Sequence, residues 1–153
     1  MSKISQSLTI IKSTVATLLT NHVALSNPYE TDECTEPELK LGYGIIIGPA
    51  SNSERQICGK LSVKREIGIV ITRKYYANEL DIEAKEDAHK LILEDMYLVI
   101  KNFEADPTLA LSAGGTSTFK YVGDDGLDTI FDDKDSFFKI ELSYTLEYFE
   151  NLT

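Results

Sequence analysis

The sequence predicts a single α+β domain: an antiparallel or mixed sheet containing a long β-hairpin, with two α-helices packed on one face. Three observations lead there. Apolar residues recur at spacings of three and four in two separate stretches, and apolar and polar residues alternate with period two in several others. The order of these stretches is helix, hairpin, helix, then two or three strands, which segregates the helices from the strand pairs. The 153 residues fall in the size range of one domain, and fractions of 42% hydrophobic and 26% charged residues place the chain among globular proteins rather than disordered ones.

Ile4, Leu8, Ile11, Val15 and Leu18 form the apolar face of the first helix, with Ser2 or Ser5 as its N-cap. The helix is expected to fade between Asn21 and Leu25, ahead of Asn27-Pro28. The polar, acidic stretch to Glu38 reads as a loop. From Leu39 the period changes to two: Leu39, Leu41, Tyr43, Ile45 and Ile47 alternate with Lys40, Gly42, Gly44, Ile46 and Gly48. Glycines gathered on one face point to a bend or to the close approach of another backbone. Gly48 to Arg55 reads as a turn, and a second strand runs from about Ile57 to Tyr76, with Leu61, Val63, Ile67, Ile69 and Ile71 on its apolar side. Arg65 and Arg73 interrupt that side. A strand this long exceeds the usual ~5–6 residues, so it is expected to bend or to project and pair with another chain.

Asp81 is the expected N-cap of a second helix reaching about Phe103, with Ala84, Ala88, Leu91, Ile92, Val99 and Phe103 on its buried face. Glu104 to Ser117 contains Pro107 and Gly114-Gly115 and reads as a long loop. Thr118–Val122 and Leu127–Phe131 are expected as two short strands turning at Asp124-Asp125-Gly126. The last element is the clearest. Phe138, Ile140, Leu142, Tyr144, Leu146 and Tyr148 alternate with polar residues over the whole run, the pattern of a strand with one wet face.

The formal net charge is −10, which opposes binding to the nucleic-acid backbone and to anionic membranes. The charge is uneven. Glu30 to Glu38 holds five acids and no base; Tyr121 to Asp135 holds six acids and only Lys134; Cys58 to Tyr76 holds five bases against Glu66. These segments read either as solvated surface or as a bipolar surface suited to head-to-tail association. No signal segment follows Met1-Ser2-Lys3 and no apolar run approaches the ~18 residues of a membrane span, so cytosolic synthesis and reduced Cys34 and Cys58 are expected.

No catalytic constellation emerges, and an enzyme is not expected. Gly42-Tyr-Gly44 and Gly114-Gly115-Thr116 lack the Lys-Ser/Thr of a phosphate loop. His22 and His89 lack ligand-spaced partners, and Cys58 has no adjacent base. The acids from Asp124 to Asp135 depart from the EF-hand pattern, so they read as solvated turns before they read as a calcium site, and no cofactor is expected.

An amphipathic N-terminal helix, a hairpin whose second strand reads Val63-Lys-Arg-Glu-Ile-Gly-Ile-Val-Ile-Thr-Arg-Lys-Tyr75, a helix opening Ala84-Lys-Glu-Asp-Ala88 and a final strand Phe138-Lys-Ile-Glu-Leu-Ser-Tyr-Thr-Leu-Glu-Tyr148 follow one another. In this order and strand texture the chain resembles the tail terminator (tail completion) proteins of long-tailed bacteriophages. The resemblance implies a structural virion protein at the head-proximal end of the tail. Such a protein forms a homohexameric ring that caps the tail tube, stops its polymerisation and docks the head–tail connector. It carries over no catalytic or ligand-binding residue. Surplus acid would keep DNA from adhering to the bore during passage. For the contacts, Arg65, Arg73 and Tyr75 on the projecting strand are expected at the neighbouring subunit, and Asp124, Asp125 and Asp128 toward the channel or a partner. A tail-tube or connector subunit is the alternative within the same particle; a small-ligand or calcium-binding α+β module is the alternative outside it.

Overall fold

The structure, a computed structural model, describes residues 2–56, 60–75, 82–109, 118–131 and 136–151. Helix α1 (Lys3–Leu18) is followed by a two-residue strand β1 (Val23–Ala24), a 3-10 turn (Thr31–Glu33) and a short helix α2 (Glu36–Lys40). Strands β2 (Leu41–Gln56) and β3 (Lys60–Tyr75) form the long hairpin, and helix α3 (Ile82–Ala105) leads to β4 (Thr118–Phe131) and β5 (Ser136–Asn151). The five strands make one mixed sheet in the order β1-β2-β3-β5-β4, parallel only between β1 and β2. The predicted α+β class and long hairpin are what the chain adopts.

Both long helices lie on one face of the sheet. Ile11 and Val15 of α1 and Ile92, Val99 and Phe103 of α3 are buried against the odd-numbered side chains of β3 and the even-numbered ones of β5. The strand periodicity therefore delivers Val63, Ile67, Ile69 and Ile71 to the same layer as Ile140, Leu142, Tyr144 and Leu146. Phe119 stacks on Tyr144 with ring centroids 4.2 Å apart, and Phe103 meets Phe119 edge-on at 4.9 Å. The Ser2 hydroxyl accepts the Ser5 N–H and caps α1, as expected. A second cap comes from across the fold, where Glu150 of β5 accepts the Ile4 N–H. Leu91 departs from expectation: it is 43% exposed, because the buried stripe of α3 runs through Ala88, Ile92, Met96, Val99 and Phe103 instead.

The opposite face is covered at one end only. There the 3-10 turn and α2 lay Leu39 and Cys34 against Val70, Ile130 and Phe137. This segment was expected to be a loop, and the strand was expected to begin at Leu39; instead Leu39 and Lys40 close α2. The Thr35 hydroxyl and the Glu38 carboxylate form a reciprocal capping box, with Pro37 in the first turn.

Three further expectations are corrected. β3 does not project. All sixteen residues from Lys60 to Tyr75 pair with β5, and the other side pairs with β2, so β3 is interior to its own sheet. The expected turn from Gly48 to Arg55 is instead the outer half of β2, broken by register shifts between Ile47 and Ala50 and between Ser51 and Glu54. Pro49, which cannot donate to a ladder, falls within the first of these bulges. The two short strands expected at Thr118–Val122 and Leu127–Phe131 are one strand, and the Asp124-Asp125-Gly126 turn is a bulge with Gly126 at φ +81°. Asp81, Cys58 and the segments 110–117 and 132–135 lie outside the described residues. Among the described residues, no helix is long and apolar enough to cross a membrane.

Candidate functional site

The residues expected at a subunit contact are all engaged within their own chain. Arg73 lies on the helix-facing side of β3 and donates from Nη2 to Asp95 Oδ2 of α3 at 2.9 Å. His22, just past α1, shares the same oxygen through Nε2 at 3.2 Å. Burial alone would raise the Asp95 carboxyl, but hydrogen bonds from His22 and Arg73, with the guanidinium charge, hold it below its ordinary value. The three side chains tie α1, β3 and α3 together. Arg65 is half-buried and donates to the Tyr148 hydroxyl at 3.3 Å and to the Gly48 carbonyl at 3.1 Å. Tyr75 is buried and stacks on Phe138 with centroids 4.1 Å apart.

Two further bases of β3 also meet acids of their own chain. Lys74 pairs with Glu36 at 2.7 Å, joining the basic strand to the acidic 30–38 segment inside one molecule, and Lys64 lies 3.7 Å from Glu147. Acids in that segment also serve local structure. The Glu38 carboxylate accepts from Thr35 and from the Ser26 N–H, and these bonds lower its pKa to about 2.

Asp124, Asp125 and Asp128 are exposed on β4, an edge strand paired only with β5 among the described residues. Asp124 organises the bulge: Oδ1 accepts the Gly126 N–H at 2.8 Å and Oδ2 accepts the Tyr121 hydroxyl at 3.0 Å. Burial and the Asp124 carboxylate push the Tyr121 hydroxyl above its ordinary value. Asp125 approaches Glu141 of β5. Desolvation, then the Asp125 charge, raises the Glu141 carboxyl, which lies on the uncovered end of the second sheet face. A shallow groove of about 310 Å³ opens there, floored by Gly68, Ser143 and Thr145 and walled by Glu66 and Val122. Among the described residues, no group of three or more His, Cys, Asp or Glu side chains is placed to hold a metal ion.

What the sequence reading missed is the outer side of β2. After β1 pairs with Gly42 and Tyr43, Leu25 donates its N–H to the Tyr43 carbonyl at 2.8 Å, and the Tyr29 hydroxyl accepts the Ile47 N–H at 3.0 Å. Beyond Ile47 no strand lies along this side of β2 among the described residues. Among the described residues the sheet is thus bounded by β4 and, past the two-residue β1, by the outer side of β2. Both carry bulges, and β4 also carries exposed acid, which are devices that discourage indiscriminate strand pairing. A scan against protein-family models and a search of curated proteins find no match to this chain.

Proposed function

We propose that the protein is a structural subunit of a ring, of the tail-terminator type, that caps a phage tail tube and presents a docking face to the head–tail connector. One observation carries this reading: among the described residues the single sheet is bounded by unlike edges, β4 at one side and, at the other, β2 with a strand beside it only at Gly42 and Tyr43. Joining unlike edges of identical copies is a head-to-tail contact, and such contacts close into rings when the rotation per subunit divides a full turn. The net charge of −10 supports a bore through which DNA passes without adhering. The helix–hairpin–helix–strand–strand order is the one on which the resemblance rests. The sheet edges take the place of the projecting strand as the means of association, since β3 is paired on both sides.

The test is electron microscopy of the purified protein alongside light scattering over a rising concentration series. Closed rings of uniform diameter support the reading. Filaments would transfer the chain to the tube-subunit class, and a monomer at every concentration, with or without isolated tail tubes, would reject it.

A further inference from the structure

The outer side of β2 is covered by a strap of its own chain. Residues 22–29 run along it, beginning at His22, which is fastened to Asp95. Val23 and Ala24 pair with the strand, the Leu25 N–H reaches the Tyr43 carbonyl, Pro28 packs on Gly44, and Tyr29 closes the row by accepting the Ile47 N–H. Midway along, the strap is held by Glu38, which accepts the Ser26 N–H at 2.7 Å.

Its hold on the strand itself is slight. β1 is two residues long, Val23 and Tyr29 are 51% and 55% exposed, and Ile47 beneath is 44% exposed. The Tyr43 carbonyl and the Ile47 N–H both point outward, and backbone direction repeats every second residue, so the N–H and C=O of Ile45 point outward too. They face a groove of about 290 Å³ between the strap and α1, lined by Leu8, Lys12, Ser26 and Pro28. A strand needs a row of such groups to add to a sheet, and here the row is present under a narrow cover.

We propose that residues 22–29 are a latch on a pairing edge: once the latch is displaced, residues 44–47 of β2 take up the outer edge of β4 from a second copy. This rests on the ring reading and deepens it, because it names the joint between subunits and a means of holding that joint closed until assembly. The choice of β4 follows from charge. Asp124, Asp125 and Asp128 repel a second β4, which suppresses like-with-like pairing, whereas the groove beside β2 offers Lys12.

The experiment compares the wild type, Tyr29→Phe, the released variant His22→Ala/Tyr29→Ala, and that variant with Ile47→Lys added. Amide hydrogen exchange at residues 44–47 is read with β5 as the internal control for folding, and light scattering gives the mass. Removing the Tyr29 hydroxyl should speed exchange at Ile47 about tenfold, the effect of one lost hydrogen bond. The released variant should gain mass with concentration, and Ile47→Lys should return it to monomer. A released variant that exchanges faster at 44–47 yet stays monomeric would overturn the proposal. Wild-type hexamers whose mass and 44–47 exchange are untouched by Tyr29→Phe would overturn the latch while leaving the ring standing. Filaments growing through 44–47 would uphold the latch and remove the ring. Should the double variant lose β5 protection, Tyr29→Phe alone decides: unchanged exchange at Ile47 overturns the proposal.

Discussion

Gly42 is the position where replacing a hydrogen by a methyl group tests the packing most severely. A Cβ built there lies 2.5 Å from the Glu38 carbonyl oxygen, 2.5 Å from the Thr72 hydroxyl oxygen and 2.6 Å from a Leu25 methyl. All three are closer than real Cβ contacts come. One of the two at 2.5 Å is backbone, and it belongs to α2, so it cannot rotate away as a side chain could. Thr72 is itself fully buried between strands. Overpacking of this kind costs about 1–3 kcal/mol, and with three simultaneous overlaps Gly42→Ala belongs at the upper end, about 3 kcal/mol. For a chain of this size each kcal/mol moves the melting midpoint by about 2–4 °C, so the variant should melt about 6–12 °C below wild type. Gly123→Ala is the matched control, since nothing lies within 4 Å of a Cβ there, and it should melt within about 2 °C of wild type. Thermal unfolding by circular dichroism measures both. Equal midpoints for Gly42→Ala and wild type would refute the placement of α2 and Leu25 against β2, and with it the lower end of the strap.

Three further outcomes follow from polar groups that the fold positions. Asp95→Ala leaves the partly buried Arg73 and His22 together without their carboxylate and should cost about 3 kcal/mol in urea unfolding, with Asp95→Asn recovering part of it. Glu38 has a folded pKa of about 2 against an ordinary 4.5, so its contribution is fully present above 4.5 and is lost as pH falls through 2. Exchange at the Ser26 and Thr35 amides should therefore accelerate across that window in wild type and be independent of pH in Glu38→Gln, after correction for intrinsic rates. The Tyr144 hydroxyl is buried without a hydrogen-bond partner among the described residues, so Tyr144→Phe should raise stability by about 1 kcal/mol, read as a shift in urea midpoint at constant slope.

The parts of the fold written in local periodicity were legible. Period-two alternation from Phe138 to Tyr148 gave both the strand and its buried face, and the spacing of Ile11 and Val15 gave the buried stripe of α1. The glycines of the first hairpin strand, which point to a bend or a close approach, mark close approach, with the α2 carbonyl at Gly42 and Pro28 at Gly44. Bulges were harder, because Gly48-Pro49 and Asp124-Asp125-Gly126 have the composition of turns, and only pairing partners reveal that the strand continues past them. The short helix α2 carried a readable signal that went unused: Thr35 with Glu38 three residues on, and Pro37 between.

The candidate site was less legible, for a physical reason. Arg65 and Arg73 interrupt an apolar strand face, and in a sequence such residues look like the ends of a core. Their partners are far along the chain: Tyr148 lies 83 residues from Arg65, and Asp95 lies 22 from Arg73. The same holds for Lys74 and Glu36, whose pairing joins two segments that look like opposite poles when counted separately. The strap over β2 lay in what read as acidic loop, since a two-residue strand and a single tyrosine hydroxyl leave no periodic trace.

Native mass spectrometry of the purified protein, with and without isolated tail tubes, addresses the association of copies most directly. A species of six times the 17.1 kDa chain mass, with no ladder of larger open assemblies, is the predicted result. A single peak at one chain mass in both conditions would contradict it.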